Sequence, residues 1–268
     1  MSSLNELLDQ CTTFTDLSID PALTFGLEKN LADELAQKIR DGFDYQQQLL
    51  WANRSHSVLL WLQGTDCSGK DGAIRNLLRG LNPQGVRVGD FQKPTAVQLQ
   101  QPFLQRYQEQ IPPAGYISVF NRTPYEAVVS DLADGFINAE QADARLQQLH
   151  EFELLLKARN YHVLKVYLHI SKDEQKRRLE QRLINPEKHW KISSNDLAGH
   201  QRFEEIRTNW ADILGKAKTD QPWYIIPSDN KWLRNLLLAQ LLHRTFAQLP
   251  LTWPQPSLPF GLEDLTRL

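Results

Sequence analysis

An α/β fold, with a mostly parallel sheet covered by helices on both faces, is what this 268-residue sequence predicts, and three observations predict it. Short apolar, β-rich runs recur along the chain; segments with helical periodicity separate them; and the first strong run, residues 58–62, passes through a glycine-bounded loop straight into a helix. Strands that alternate with helices pair in parallel, because each crossover helix returns the chain to the same end of the sheet. Ligands of such folds bind beyond the carboxyl ends of the strands.

Each element follows in order. Residues 1–57 read as an N-terminal extension of helical pieces and loops, with residues 30–42 amphipathic and Leu31, Leu35 and Ile39 stacked at intervals of four. Residues 58–62, VLLWL, are wholly apolar, as a strand buried on both faces must be. The helix at 72–81 carries Ile74, Leu77, Leu78 and Leu81 at helical spacing, and further strands fall at 86–91, 116–120, 163–170 and 223–226. After Ser228 and Asp229 comes a core helix that buries Leu233, Leu236, Leu237, Leu241 and Leu242 and ends before Pro250; its periodicity carries no functional expectation. Residues 58–248 thus read as one domain, and 249–268 as a tail rich in Pro and Leu that packs as an extended strip.

Composition narrows the function. A formal net charge of −2 and a pI near 6.4 argue against a general nucleic-acid binder, so any polyanion must be held by a local cluster. Cys11 and Cys67 sit in unlike surroundings and predict no disulfide framework, which fits a reducing compartment. The N-terminus lacks a basic start followed by an apolar core, and no apolar run is long enough to cross a bilayer. The expectation is a cytoplasmic protein without membrane or nucleic-acid partners.

Three stretches carry chemistry. In LQGTDCSGKDGAI, Gly64, four residues, Gly69 and Lys70 match the Walker A spacing, with Thr65 and Ser68 inside the loop and Gly72 just beyond it. Glycines let the backbone wrap with its N–H groups inward, the helix adds its positive end, and Lys70 adds a mobile charge; the site favours phosphates. Asp71 stands where Ser or Thr would normally offer a hydroxyl to magnesium. Cys67, at a helix N-terminus, is either a redox-sensitive thiol or a small residue filling a tight bend. The alternative for the whole loop is an ordinary strand-to-helix turn.

In YISVFNRTPYE a β-rich run ends in Asn121 and Arg122, which places a polar pair at the active edge of the sheet. Arg122 can fork two phosphate oxygens, and Asn121 can orient a metal-bound water or contact a nucleotide, with Tyr125 and Glu126 as weaker candidates; a turn whose Arg caps a neighbouring helix is the plainer reading. In KDEQKRRLEQRLINPEKHWK, Arg178 and Arg182 share one helical face, Lys176, Arg177, Lys188 and Lys191 add charge, and the helix must end or bend at Asn185-Pro186. A hinged basic arm suits closure over phosphates; the alternative is a solvated helix with Glu174 and Glu180 paired to its bases. Trp190 and Trp223 fit core packing better than base stacking.

Together with LNPQGVRV and PWYIIPSDNKW, these motifs give the chain a resemblance to the polyphosphate kinase 2 family over about residues 48–246. Members of that family, which also lack the hydroxyl after the loop lysine, move phosphoryl groups between inorganic polyphosphate and nucleotides. The resemblance implies a three-layer P-loop kinase-like fold, with a five-stranded sheet and a helical lid at about 173–206. It implies Mg²⁺ as cofactor, homo-oligomers, and AMP, ADP, GMP or GDP as acceptors. Carried over by position, Asp66 binds the metal and positions the acceptor phosphate. Gly64, Thr65, Ser68, Gly69, Lys70 and Gly72 form the loop, Arg122 and Asn121 match the second motif, and Arg178, Arg182 and Lys191 match lid positions that hold the phosphate chain or nucleotide. The chain departs from the family pattern at Thr123, Pro124, Ala127, Leu132 and His200. Two other readings compete: an ATP-dependent small-molecule kinase of the same fold, and a binding module that keeps the phosphate cradle without transfer.

Overall fold

The computed structural model describes residues 2–13, 16–216, 221–255 and 257–266. In chain order its elements are α1 (Ser2–Gln10), β1 (Thr12–Thr13), α2 (Lys29–Arg40), α3 (Phe43–Asn53), β2 (Ser57–Gln63), α4 (Lys70–Leu77), β3 (Val86–Asp90), α5 (Ala96–Leu99), α6 (Gln105–Gln108) and β4 (Ile117–Asn121). They continue with α7 (Glu126–Ala133), α8 (Ala139–Ala158), β5 (Tyr161–His169), α9 (Lys172–Ile184), α10 (Ser194–Gln201), α11 (Phe203–Lys216), β6 (Trp223–Pro227), α12 (Lys231–Gln248) and α13 (Leu262–Leu265).

Five strands pair in parallel in the order β3, β4, β2, β5, β6, and the short β1 joins the far edge antiparallel to β6. Each strand expected from the sequence is present, with ends shifted by a residue or two. β2 is central and buried along its whole length, so its pleat feeds two cores. Val58, Leu60 and Leu62 enter the layer built on α1, α2, α3, α4 and α12; Leu59 and Trp61 enter the opposite layer, with α7, α8 and α11. Because β4 and β5 flank β2 and connect in opposite directions, a crevice opens at its carboxyl end. The loop from Gly64 to Lys70 leaves the sheet at this point.

Two expectations change. Leu31 is exposed, and the buried stripe of α2 is Ala32, Ala36, Ile39 and Arg40, because small side chains let this helix lie close against the leucine-rich α12. The tail carries a short helix, α13, beyond an extended stretch; it is held to the body by Asn53 Nδ2 donating to Thr252 O (2.8 Å) and Trp253 Nε1 donating to Tyr45 Oη (3.1 Å). The five leucines assigned to the core of α12 are all buried. Trp223 lies in the core, whereas Trp190 is 77% exposed with Lys191 Nζ 4.8 Å above its ring.

Candidate active site

The loop between β2 and α4 is built by two glycines that no other residue could replace without movement. A Cβ at Gly64 would lie 2.6 Å from Ser68 Oγ and 2.7 Å from Leu168 O, and one at Gly69, at φ +94°, would meet Arg234 Nη1 at 2.5 Å. Cys67 also takes positive φ (65°) and is buried, which pushes its thiol up to about 11 although Arg182 and Lys70 favour the thiolate. The small-residue reading of Cys67 therefore holds, and a reactive thiolate does not form at neutral pH.

Lys70 folds back on the loop, its Nζ donating to Gly64 O (2.8 Å) and Thr65 O (3.2 Å). Desolvation lowers its pKa, opposed chiefly by Asp66 and Glu126. The Asp66 side chain is exposed at the loop, while its carbonyl accepts a bond from the buried Gln175 Nε2 (3.0 Å) of α9, a side chain itself bonded to His200 of α10 (2.7 Å). Thr65 Oγ1 and Ser68 Oγ are buried without hydrogen-bond partners among the described residues.

At the end of β4, Arg122 adopts φ +78°, a strained conformation for a side-chain-bearing residue, and its Nη1 meets Glu126 Oε1 at 3.1 Å. Gln63, the last residue of β2, donates to Glu126 Oε2 (3.0 Å) and accepts from Thr123 N (3.1 Å) and Oγ1 (3.3 Å). Thr123 is thus a buried tie between strands. Tyr125 does not join this group: it is buried on the other side of the chain, its hydroxyl donating to Glu153 Oε1 (2.7 Å), and Glu153 in turn pairs with the buried Lys165 (2.9 Å).

The arm is more committed to structure than its charge implies. Arg178 is buried, pairs with Glu174 (2.6 Å), and donates to the carbonyls of Cys67 and Ser68 (both 2.9 Å) and of Ser228. Arg182 donates to Lys191 O (3.2 Å) and lies 3.5 Å from Asp196. Lys191 reaches the loop and meets Asp71 Oδ2 at 3.2 Å, while Asn121 Nδ2 donates to Asp71 Oδ1, also at 3.2 Å. Partial burial opposes ionisation of Asp71, but the bonds and charge of Lys191 and Asn121 outweigh it and hold this carboxyl below its ordinary range. One carboxylate therefore joins the loop, the β4 edge and the segment that follows α9.

Two cavities meet at Arg122 and Glu126, and Asp71, Asn121, Arg178, Arg182 and Lys191 line neither of them. One, of about 210 Å³, is lined by Gly64, Thr65, Asp66, Lys70, Arg122 and Glu126 among others. The second, of about 1100 Å³, is lined by aromatic residues that include Phe91, Phe103, Tyr107 and Phe136, and it shares Arg122, Glu126, Asp134 and Arg202 with the first. Asp71, Gln63, Gln175, Arg202 and Arg234 take part in these contacts and cavities without being candidate site residues of any sequence motif. Only Asp71, a charge where a hydroxyl is customary, and Arg234, a charge inside a leucine-rich helix, stand out in the sequence itself.

Residues 28–250 match the family model described as Polyphosphate kinase 2. The chain is 37% identical over 240 residues to the AMP/ADP-polyphosphate phosphotransferase of Meiothermus ruber, covering 88% of this chain and 90% of that protein. It is 36% identical to the ADP-polyphosphate phosphotransferase of Rhodopseudomonas palustris, covering 78% of this chain and 77% of that one. Among solved structures, polyphosphate kinase 2 from Arthrobacter aurescens TC1 superposes with a TM-score of 0.91 at 31% identity, covering 98% of this chain and 95% of that one. The expected P-loop kinase fold is thus observed, and with it the expected kinship. On its loop, its sheet order and these likenesses, the chain belongs to the polyphosphate kinase 2 family.

Proposed function

We propose that this protein transfers phosphoryl groups between inorganic polyphosphate and nucleoside mono- or diphosphates, with AMP, ADP, GMP and GDP as the acceptors to test. The observation that carries the reading is the junction of the two cavities at the loop. A small polar cavity fits phosphates, and it opens through Arg122 and Glu126 into a larger, aromatic-lined one that fits a nucleoside. The relatives named as AMP/ADP- and ADP-polyphosphate phosphotransferases support it.

Phosphoryl transfer asks a protein mainly for alignment, exclusion of water and neutralisation of equatorial oxygens. Lys70 exchanges its bonds to Gly64 O and Thr65 O for bonds to phosphate, and Arg122 exchanges Glu126 for the group in transfer. The strained backbone at Arg122 holds that guanidinium at the seam of the two cavities. Lys191 follows the chain of phosphates when the lid shuts.

Mg²⁺ suits the residues present. Among the described residues the Asp66 carboxylate has no hydrogen-bond or ion-pair partner, Asn121 Oδ1 is buried and unpartnered, and no cluster of three or more His, Cys, Asp or Glu forms a dedicated cage. An ion that keeps waters and takes few protein oxygens matches that donor set. Asp66 is the residue that would hold it, and it would supply charge neutralisation at the phosphates.

The test incubates pure protein and Mg²⁺ with long-chain polyphosphate and each acceptor, and then with ATP alone, and resolves the nucleotides chromatographically. Product that requires polyphosphate is the expected outcome; binding without product, or transfer from ATP to an added metabolite without polyphosphate, refutes it. Lys70→Ala removes the loop cation without touching the core, so transfer should fall by roughly 100-fold or more while thermal unfolding stays near that of the wild type.

A further inference from the structure

Against the loop, and outside the lining of both cavities, α12 places a buried guanidinium. Arg234 is only 2% exposed. Its Nε and Nη2 reach the neighbouring Asn235 Oδ1 at 3.2 and 2.8 Å, and its Nη1 reaches Gly69 O at 3.3 Å. Among the described residues no carboxylate lies within ion-pair distance of it. Burial and the repulsion of Arg178 pull its pKa down to about 10, so it is still charged at neutral pH.

The charges around it do not balance. Arg178 lies under the same glycine, its Nη1 3.5 Å from the position of a Cβ on Gly69. Lys231 stands one turn earlier on α12, its pKa lowered by burial and by both arginines, and Arg177 adds a fourth cation at the rim. Against these stand Glu174, already shared by Arg177 and Arg178, and Asp229, whose carboxylate is taken by the N–H and hydroxyl of Ser171 (2.8 and 2.7 Å). A buried cation without a counter-ion is costly to keep. The natural compensation is an anion on the far side of the loop.

The hydrogen bonds show how the cations and the loop are coupled. Arg178 holds the carbonyls of Cys67 and Ser68, and Arg234 that of Gly69, so three successive loop carbonyls face the two arginines. In a planar trans peptide the N–H opposes its carbonyl. The amides of Gly69 and Lys70, which share peptides with the carbonyls of Ser68 and Gly69, are therefore turned away from the arginines, at the start of α4 where a phosphate would be met.

We propose that Arg234 is a positioning residue for phosphoryl transfer, a buried cation that aims the loop amides and whose charge is answered by the polyphosphate bound in front of them. It touches no substrate. The proposal rests on the loop being the polyphosphate site.

Thermal unfolding with and without magnesium and tripolyphosphate, together with steady-state kinetics, tests it on Arg234→Met, Arg234→Gln and Arg234→Lys in the full chain. Without the polyanion, Arg234→Met should melt at or above the wild-type temperature, since an uncompensated buried charge has been removed. The rise in melting temperature given by tripolyphosphate should shrink in Arg234→Met and Arg234→Gln, and KM for polyphosphate should rise on the order of tenfold with a smaller change in kcat. Arg234→Lys, which keeps the charge, should recover most of both. A tripolyphosphate response in Arg234→Met or Arg234→Gln equal to that of the wild type overturns the role of Arg234 alone. A wild-type protein that does not respond to tripolyphosphate overturns the loop reading itself, and with it this one.

Discussion

Replacing Asp71 by asparagine should loosen the segment 186–201 by an amount the geometry fixes. The carboxylate lies 3.2 Å from Lys191 Nζ, and the two side chains are 58% and 25% exposed, so the pair is solvent-screened. Coulomb's law in water at that distance gives about 1.3 kcal/mol. Ordering two side chains reduces the net gain to about 0.5–1 kcal/mol, the upper part of the range for exposed pairs. The docked state of this segment should therefore lose roughly two- to fivefold in population. Amide hydrogen exchange over residues 186–201 reads this directly: Asp71→Asn and Lys191→Met should each speed exchange there by about that factor, and the double variant should add nothing. Additive effects, or unchanged exchange in Asp71→Asn, would refute the link. In the wild type the contact is complete at neutral pH, because the pKa of Asp71 is lowered, and it is lost only as pH falls below the ordinary carboxylate range.

Two predictions concern the body of the fold. Glu153→Leu leaves Lys165 in the core without its carboxylate and should cost about 3–5 kcal/mol in chemical denaturation, while the double variant with Lys165→Met should recover most of it; equal costs in the single and double variants would show that the pair is not the cause. His169 is buried, and burial together with Arg207 lowers its pKa to about 4, so the unfolded chain binds the extra proton first. Stability should be complete above pH 6.5 and fall by up to about 3 kcal/mol towards pH 4; His169→Gln should flatten that slope, and an unchanged slope would exclude this histidine as its source.

What the sequence discloses follows from the range of the interactions involved. β2 and the helix after Lys70 are local patterns, an apolar run and a periodic one, and both lie where expected. Gly64, Gly69 and Lys70 are legible because a glycine-bounded turn from strand to helix is a local backbone device. Arg178 and Tyr125 are not, since their partners lie far away in the chain: Arg178 meets Cys67 and Ser68, and Tyr125 meets Glu153. A basic heptad gives no hint that one of its arginines turns inward to hold carbonyls. The positive φ of Arg122 is likewise invisible, because a non-glycine residue carries no mark of strain imposed by its neighbours. The tie between Thr123 and Gln63 is visible only in the fold, since the two residues lie 60 positions apart.

The placement of β2 also bears on how the molecule comes into being. Its two partners in the sheet begin at Ile117 and Tyr161, far along the chain from Ser57, and the arginines under the loop arrive later still, at 178 and 234. Pairings of such long sequence separation form slowly, and a chain emerging from the ribosome carries the glycine loop long before it has anything to brace it. Until α12 is made, the loop lacks the bond that Arg234 gives to Gly69 O. The proposed seat for polyphosphate is thus incomplete on the unfinished protein, and the capacity to bind there should appear in one late step of folding, together with the last helix of the core.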